Sequence, residues 1–559
     1  MSGAWREAYR LQRTAFPELA YHAIYSVRMG NVAPSIPEAE LVRRSERRVL
    51  QSKLLVSALL GLLALGSLAI LSPTAKGFIA PDLAGPLYVE TVIVGLLVLE
   101  LALLWWTGLQ VLPTFLSSAI VPTLEVLPIP SKTLERASFL LFLRLFDLPA
   151  GTALVMTPIA VGAALGSVAA GIAIVPGTVA TVVFGLGLSL VTGKFFLRHV
   201  QGASGGSSRS TAVRWAYLVL WTVPAFAMYG YVALGPRFIA WLTAVASGGP
   251  SGAVDALLAT FPFPLASLPS LVASGGVAAP DAGTLPLGIV LVGSAAYGVV
   301  ALLVGIWLLA APRTLARTIS EGGPPGALPG RLRTRSAPMS IVVKDLRISS
   351  RTPGFAFLVL LPLLDAIAIG VWTVLASPVP SDAFNVAVAA VATAALLATF
   401  FGPAFFAIEV MGYSYTRTLP LSEGSLLLGK VTLIAAIYGI AAGTVLAIAL
   451  AKLFDPLDFV GFILAELPAV AAAALLELGI LMRVARRRGL PITNLYSGSW
   501  WAIAVSVPGL LVAGLPLALF ALARGRSDLS AIGLMGGVAL VELALATGLA
   551  FLGSPSGAR

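Results

Sequence analysis

The sequence predicts an all-α polytopic membrane protein, with about 12 transmembrane helices arranged as two parallel pseudo-repeats of six, and three observations carry that prediction. Of 559 residues, 58% are hydrophobic and only 11% charged, with a mean hydropathy of +0.95. A soluble chain carries about a quarter charged residues. Apolar stretches of roughly 20 residues, the length that crosses a hydrocarbon core as a helix, recur from end to end. Third, the 36 basic residues sort to one side of those stretches.

The spans are expected at about 53–72, 86–112, 148–172, 176–198, 211–234 and 284–311, then 354–376, 383–409, 425–451, 459–482, 498–523 and 529–553. An even count puts both termini on one side. Cytoplasmic loops carry the excess of Lys and Arg. With the N-terminus inside, 31 of the 36 fall in cytoplasmic segments, and only Lys76, Arg237, Lys452, Arg524 and Arg526 do not. The expected location is therefore the cell membrane, multi-pass, with both termini cytoplasmic.

Residues 1–52 form a polar, basic cytoplasmic segment without the short apolar core of a cleavable signal. Within it Ser35-Ile36-Pro37-Glu38 reads as a capping box with proline in the first turn. Glu40 and Arg44 have the i,i+4 spacing that supports a helix. That helix is expected to lie on an anionic inner leaflet before turning into span 1. The first six-span half occupies 53–311, and its outer loop 235–283 holds FPFPLASLPSLVA, proline-broken and too short to span, which reads either as a re-entrant or interfacial cap or as a plain family insertion. Residues 312–353 are a Pro/Gly/Arg-rich cytoplasmic linker, and the second half fills 354–559.

Two polar hairpins break the apolar pattern at equivalent places. In the second half, Leu419-Pro420-Leu421-Ser422 lies between two spans with Arg417 before it and Lys430 after it. Pro420 lacks an N–H and ends the preceding helix, and Ser422 can cap the next by accepting from a backbone N–H. In the first half, Leu127-Pro128-Ile129-Pro130-Ser131 is followed by Lys132, Glu135 and Arg136. A second pair of matches aligns Arg6-Glu7 and Arg13-Thr14 with Lys344-Asp345 and Arg351-Thr352, each before the first span of its half. An even number of spans per repeat preserves orientation.

Several chemistries are excluded. The chain has no cysteine and two histidines, so disulfides, thiolate metal sites and a histidine cage are ruled out, and no metal or cofactor is expected. The net charge of +11 follows the topology, so a nucleic-acid partner is not expected. Gly424 to Val431 imitates a phosphate-binding loop but lacks the hydroxyl that holds magnesium, and it enters a membrane helix. No catalytic constellation is present, so the chain is not expected to be an enzyme. Six acids fall in spans: Glu90, Glu100, Asp365, Glu466, Glu477 and Glu542. Each costs ~2.5–3.5 kcal/mol near the bilayer centre, so each faces protein or water. Glu100 and Glu477 are candidates for a translocation path; the alternative is that they are neutral or hydrogen-bonded between helices. Glycine runs at 162–171 and 185–193 suit close helix packing, and the pairs Trp105-Trp106 and Trp500-Trp501 read as interface anchors.

These residues resemble the integral-membrane permeases of ATP-binding-cassette (ABC) exporters of the type-two branch. That family carries a KDLRxxxR segment before the first span, here Lys344-Asp345-Leu346-Arg347 with Arg351. It also carries an acid at the end of the second span, then LP[IL]S and a Gly-Lys, here Glu409, Leu419-Pro420-Leu421-Ser422 and Gly429-Lys430. The first half departs, with Pro130 in place of the serine and Ala137-Ser138 in place of Gly-Lys. The resemblance implies that Leu127, Pro128 and Ile129, and Arg417, Leu419, Pro420, Leu421 and Ser422, couple to a separate ATPase through the knobs 114–136 and 413–430, two ATPase copies being expected. The competing expectation is a proton-coupled secondary transporter using acids such as Glu100 and Glu477. A membrane enzyme acting on lipid-linked substrates would need a polar active-site loop that is absent from the pattern.

Overall fold

The computed structural model describes residues 3–21, 38–71, 86–117, 120–196, 259–273, 287–320, 336–350, 359–368, 380–400, 422–450, 456–487, 499–523 and 528–552, with Gly402, Phe405 and six positions within 212–219. Every described element is a helix. Nine of these helices are long and apolar enough to cross a membrane. Two further expected spans appear over the shorter apolar helices Val359–Ala368 and Phe384–Phe400. The expected span 211–234 lies almost wholly outside the described residues.

The chain divides into two compact units. The first holds α1 (Gly3–Tyr21), α2 (Glu38–Leu71), α3 (Pro86–Ser117), α4 (Ile120–Glu125), α5 (Ser131–Leu143), α6 (Asp147–Ala164), α7 (Val168–Ala173), α8 (Val175–Phe196), α9 (Phe263–Ala273) and α10 (Leu287–Ser320). Its centre is the α3–α8 pair, where small residues let backbones approach. Gly185 faces the Leu104 side chain, Ser189 presses against Gly108, and Gly193 receives Leu112. The four-residue spacing on both helices makes one continuous seam. Trp105, expected as an interface anchor, instead donates its indole N–H into this seam, to Thr192 Oγ1 at 3.0 Å. Replacing Gly193 by leucine should overpack the seam and cost about 1–3 kcal/mol. Thermal unfolding of the purified protein checks this, with Gly61→Ala as control, because a side chain at Gly61 meets nothing within 4 Å.

Two expectations about this unit are corrected. The arginine-rich segment does not lie flat before span 1: α2 runs unbroken from Glu38 to Leu71. No glycine or proline interrupts it before Gly61, and Arg44 pairs with Glu40 at 2.5 Å as the spacing predicts. The third span does not reach residue 172. It stops at Ala164, Gly166 turns the chain with φ +62°, and Ser167 caps the short α7 by accepting from Ala170 N. Glycine takes that left-handed conformation without a Cβ penalty. Gly162 and Gly171 then meet, so α7 folds back on α6. The proline-broken segment of the outer loop forms α9, an apolar helix packed on α3, α7 and α10.

The second unit holds α11 (Ala337–Ser349), α12 (Val359–Ala368), α13 (Pro380–Phe400), α14 (Glu423–Ala449), α15 (Pro456–Arg487), α16 (Ser499–Ala523) and α17 (Asp528–Leu552), with the described residues of 212–219. Here α15 is the hub, packed on α13, α14, α16 and α17. Its Phe459, Phe462, Val470 and Leu478 are wholly buried, against Ile434 and Tyr438 of α14 among others. The segment that imitates a phosphate-binding loop is the start of α14, a continuous helix through Gly424 and Lys430.

Candidate functional site

The first hairpin is a closed knob. Helix α4 ends in tight turns, with Val126 N and Leu127 N donating to the carbonyls of Thr123 and Leu124 at 3.3 Å. Pro128 and Pro130 cannot donate, so no helix crosses the tip. Ile129 N turns back to Leu127 O at 2.7 Å, and the Pro130 carbonyl accepts from Thr133 and Leu134 to start α5. Val126 is 85% exposed and Leu127 45% exposed. A fixed apolar tip is thus presented on a polar base.

What holds that base is Arg313, on the last turns of α10. Its Nε reaches Glu125 Oε1 at 2.9 Å, and its Nη1 reaches Ser131 Oγ at 2.7 Å, Ser131 O at 3.1 Å and Glu135 Oε1 at 3.4 Å. One guanidinium therefore ties both sides of the turn to the end of a span, using the fork geometry that lysine lacks. Sequence reasoning counted Arg313 with the linker, but α10 continues to Ser320 and makes it helical. Its only sequence signal was its place just after Pro312, at the end of an apolar run.

In the second hairpin, Arg417, Leu419, Pro420 and Leu421 lie outside the described residues. Ser422 is described and caps α14 as expected, accepting from Ser425 N at 3.2 Å. Two turns on, the motifs of the second half meet. Lys430 Nζ donates to Asp345 Oδ2 at 2.5 Å and to the Phe405 carbonyl at 2.9 Å, and both charged side chains are wholly buried. Lys344 stands 3.6 Å from the other Asp345 oxygen. Gly429 leaves the space into which Ile341 and the Pro338 carbonyl of α11 press, at 2.9 and 3.0 Å from where a Cβ would stand. The Gly-Lys pair is thus a docking surface for α11: glycine admits the helix and lysine locks it.

The first unit repeats the arrangement with different chemistry. Here α1 packs on α5. Arg136 stacks on Trp5 at 4.9 Å and Arg144 on Phe16 at 4.3 Å. Lys53 also approaches the Phe16 ring, at 5.2 Å, and holds Asp147 at 2.7 Å. With the Gln12 amide oriented so that its oxygen faces Arg144, that oxygen accepts from Nη1 at 2.8 Å. The register differs from the sequence alignment. Glu7, aligned with Asp345, is exposed. The buried residues of α1 include Ala8, Gln12 and Phe16, and those of α11 include Ile341, Asp345 and Ser349, at the same four-residue spacing. Gln12 occupies the place of Asp345, five residues from the aligned acid, because burial phase rather than charge fixes how the helix sits.

The intramembrane acids separate into distinct environments. Glu100 is fully buried and accepts from Thr157 Oγ1 of α6, an interhelical hydrogen bond. Glu466 lies near Tyr438 and Glu542. Glu477 is fully buried, and neither of its oxygens has a hydrogen-bond partner among the described residues. Its carboxyl lies against two glycines: a Cβ on Gly402 would stand 2.7 Å from Oε2, and one on Gly509 would overlap Oε1. Sequence reasoning selected Glu100 and Glu477 as equivalent, whereas Glu100 has a hydroxyl partner and Glu477 has none. Among the described residues no cluster of His, Asp and Glu could hold a metal ion.

No curated protein and no solved structure matches the chain. A family model described as a membrane protein of 12 TMs matches residues 84–552, which takes in both units and every span from the second to the last. The chain belongs to this family of membrane proteins with 12 transmembrane segments.

Proposed function

We propose that the chain is the permease of an ATP-driven exporter, moving its substrate across the cell membrane with a separate ABC ATPase subunit. Both termini and both hairpins lie in the cytoplasm in this reading. The observation that carries it is the knob at Val126–Pro128, an exposed apolar tip whose base Arg313 ties to the end of a span. A permease without its own nucleotide site needs a stiff cytoplasmic projection on its spans to register the closing of a partner. The buried Lys430–Asp345 pair supports the same reading, because it fixes α11 to the helix that follows the second hairpin. In the first unit Arg313 joins the hairpin to a span, and in the second Lys430 joins α11 to α14, so a push at the first tip moves the span behind it.

One chain carries two hairpins, so one copy supplies a complete transport domain for two ATPase subunits. The tips differ, Leu127-Pro128-Ile129-Pro130 against Leu419-Pro420-Leu421-Ser422, so the two contacts are unequal in strength. Native mass spectrometry of the co-purified complex is expected to give one permease with two ATPases. A stable assembly of two permeases with two ATPases refutes the stoichiometry, and a permease active with no ATPase refutes the reading itself.

A proton-driven secondary transporter is the second reading, favoured by the orphaned carboxyl of Glu477. It requires that Glu477→Gln and an uncoupler each abolish transport. The ATP-driven reading requires that transport survive Glu477→Gln.

A further inference from the structure

A carboxylate taken into a helix bundle keeps its charge only where donors or a cation replace its water. Glu477 has neither among the described residues: it is fully buried and both oxygens lack a hydrogen-bond partner. Among the described residues the two oxygens of Glu466 and one of Glu542 likewise lack a hydrogen-bond partner, but neither acid has two glycines against its carboxyl as Glu477 does. On α14, Lys430 is engaged by Asp345 and the Phe405 carbonyl, Glu423 stands in the first turn, and the Tyr438 hydroxyl donates to the Ile463 carbonyl at 3.2 Å. On α16, the nearby polar group is Ser506, which donates to the Phe400 carbonyl at 3.1 Å. On α17, Glu542 acts on Glu466, eleven residues from Glu477 along α15. On α15 itself, Arg483 is turned to the Leu549 carbonyl. On α13, none of the residues whose side chains are described is charged.

The space around the carboxyl is shaped for it. Gly509 on α16 and Gly402 stand where any side chain would collide with its oxygens. A seat that fits a carboxyl so closely, and offers its charge nothing among the described residues, suits the neutral acid.

We propose that Glu477 is a proton-binding site of the second unit: the notch formed by Gly402 and Gly509 takes the protonated carboxyl while α15 and α16 are packed, and the proton leaves when those helices part and water reaches the oxygens. By linkage, a group that binds a proton in one conformation more tightly than in another makes their equilibrium depend on pH. Proton uptake favours the packed state, and proton loss favours the parted one. The site is independent of how transport is powered, so it stands or falls apart from the ATPase reading.

The chain has no cysteine, so Ser506→Cys places a single thiol one turn from Gly509, at a position only 2% exposed. Its maleimide labelling rate is followed from acidic to alkaline pH in lipid nanodiscs, with and without Glu477→Gln. Dividing one rate by the other removes the thiol's own titration. The expected result is a ratio that rises about tenfold or more towards alkaline pH, because glutamine keeps the neutral shape and cannot ionise. Infrared difference spectra of the unaltered chain provide a second measurement, which needs no folded variant. A carboxylic-acid carbonyl band should be lost reversibly as pH rises. A labelling ratio that stays constant overturns the proposal, and so does a spectrum with no titrating carboxylic-acid band. If the band titrates in the unaltered chain but persists in folded Glu477→Gln, it belongs to another acid and the assignment to Glu477 is wrong.

Discussion

Asp345→Ala and Lys430→Ala are each expected to cost the second unit about 3–5 kcal/mol, because removing one partner leaves the other charge buried and unpaired. That is a large share of the 5–15 kcal/mol of a typical folded domain. The pair is wholly buried at 2.5 Å, and Phe405 contributes a second acceptor to the ammonium only. Losing Asp345 therefore removes the carboxylate from the ammonium and leaves the neutral Phe405 carbonyl against it. Losing Lys430 leaves the carboxylate with Lys344, 3.6 Å from its other oxygen. Asp345→Ala should accordingly be the worse of the two. The double replacement Asp345→Leu with Lys430→Met should recover most of the loss, since apolar pairs of similar size commonly replace buried ion pairs at little cost. Thermal unfolding of the purified protein followed by tryptophan fluorescence checks all three. If the double variant is no better than either single one, the stabilisation lies in packing around the pair and not in the pair.

Leu127→Asp is the complementary case: little effect on folding and a large effect on coupling. The side chain is 45% exposed beside an 85% exposed Val126, so a charge there meets water in the free protein. Against a partner it would be desolvated at the centre of the contact. Truncating or charging such an anchor typically costs ~2 kcal/mol or more, about thirtyfold in affinity. Unfolding temperature should not move, while substrate-stimulated ATP hydrolysis and transport by the complex fall together. Leu419→Asp, or charge reversal at Arg417, should act likewise at the second hairpin but by a different amount, as the two tips differ in sequence. Normal transport by Leu127→Asp with the ATPase bound would reduce the hairpin to a connector.

The residues that composed these sites were legible in unequal measure. The Ser422 cap and the Glu40–Arg44 pair follow from spacing within one helix, and both appear as expected. The Gly-Lys and Lys-Asp motifs were visible as strings, but not that one grips the other. The alignment of Glu7 with Asp345 misled, because matching charges along two strings does not reveal which face of each helix is buried; Gln12 is the buried counterpart. Arg313 escaped notice for a similar reason: an arginine at the end of an apolar run looks like any cytoplasmic anchor until its partners are known.

By itself the sequence determined the class of the protein and the places where most of its described spans fall. Hydropathy over about 20 residues is a local property, and a bilayer reads it locally. It also determined the Ser422 cap, since a cap depends on neighbours a few residues away, whereas the expected capping box at Ser35 and the break at Pro420 fall outside the described residues. The tertiary structure alone decided three pairings: Lys430 with Asp345 across 85 residues, Arg313 with Ser131 across 182, and Glu477 with its two glycines. Each depends on which helices become neighbours and on how each is rotated about its axis. One residue of register turns a helical side chain by about 100°. An apolar run that is hydrophobic all round carries no mark of which side will meet protein, so partners at a distance are fixed only when the helices pack.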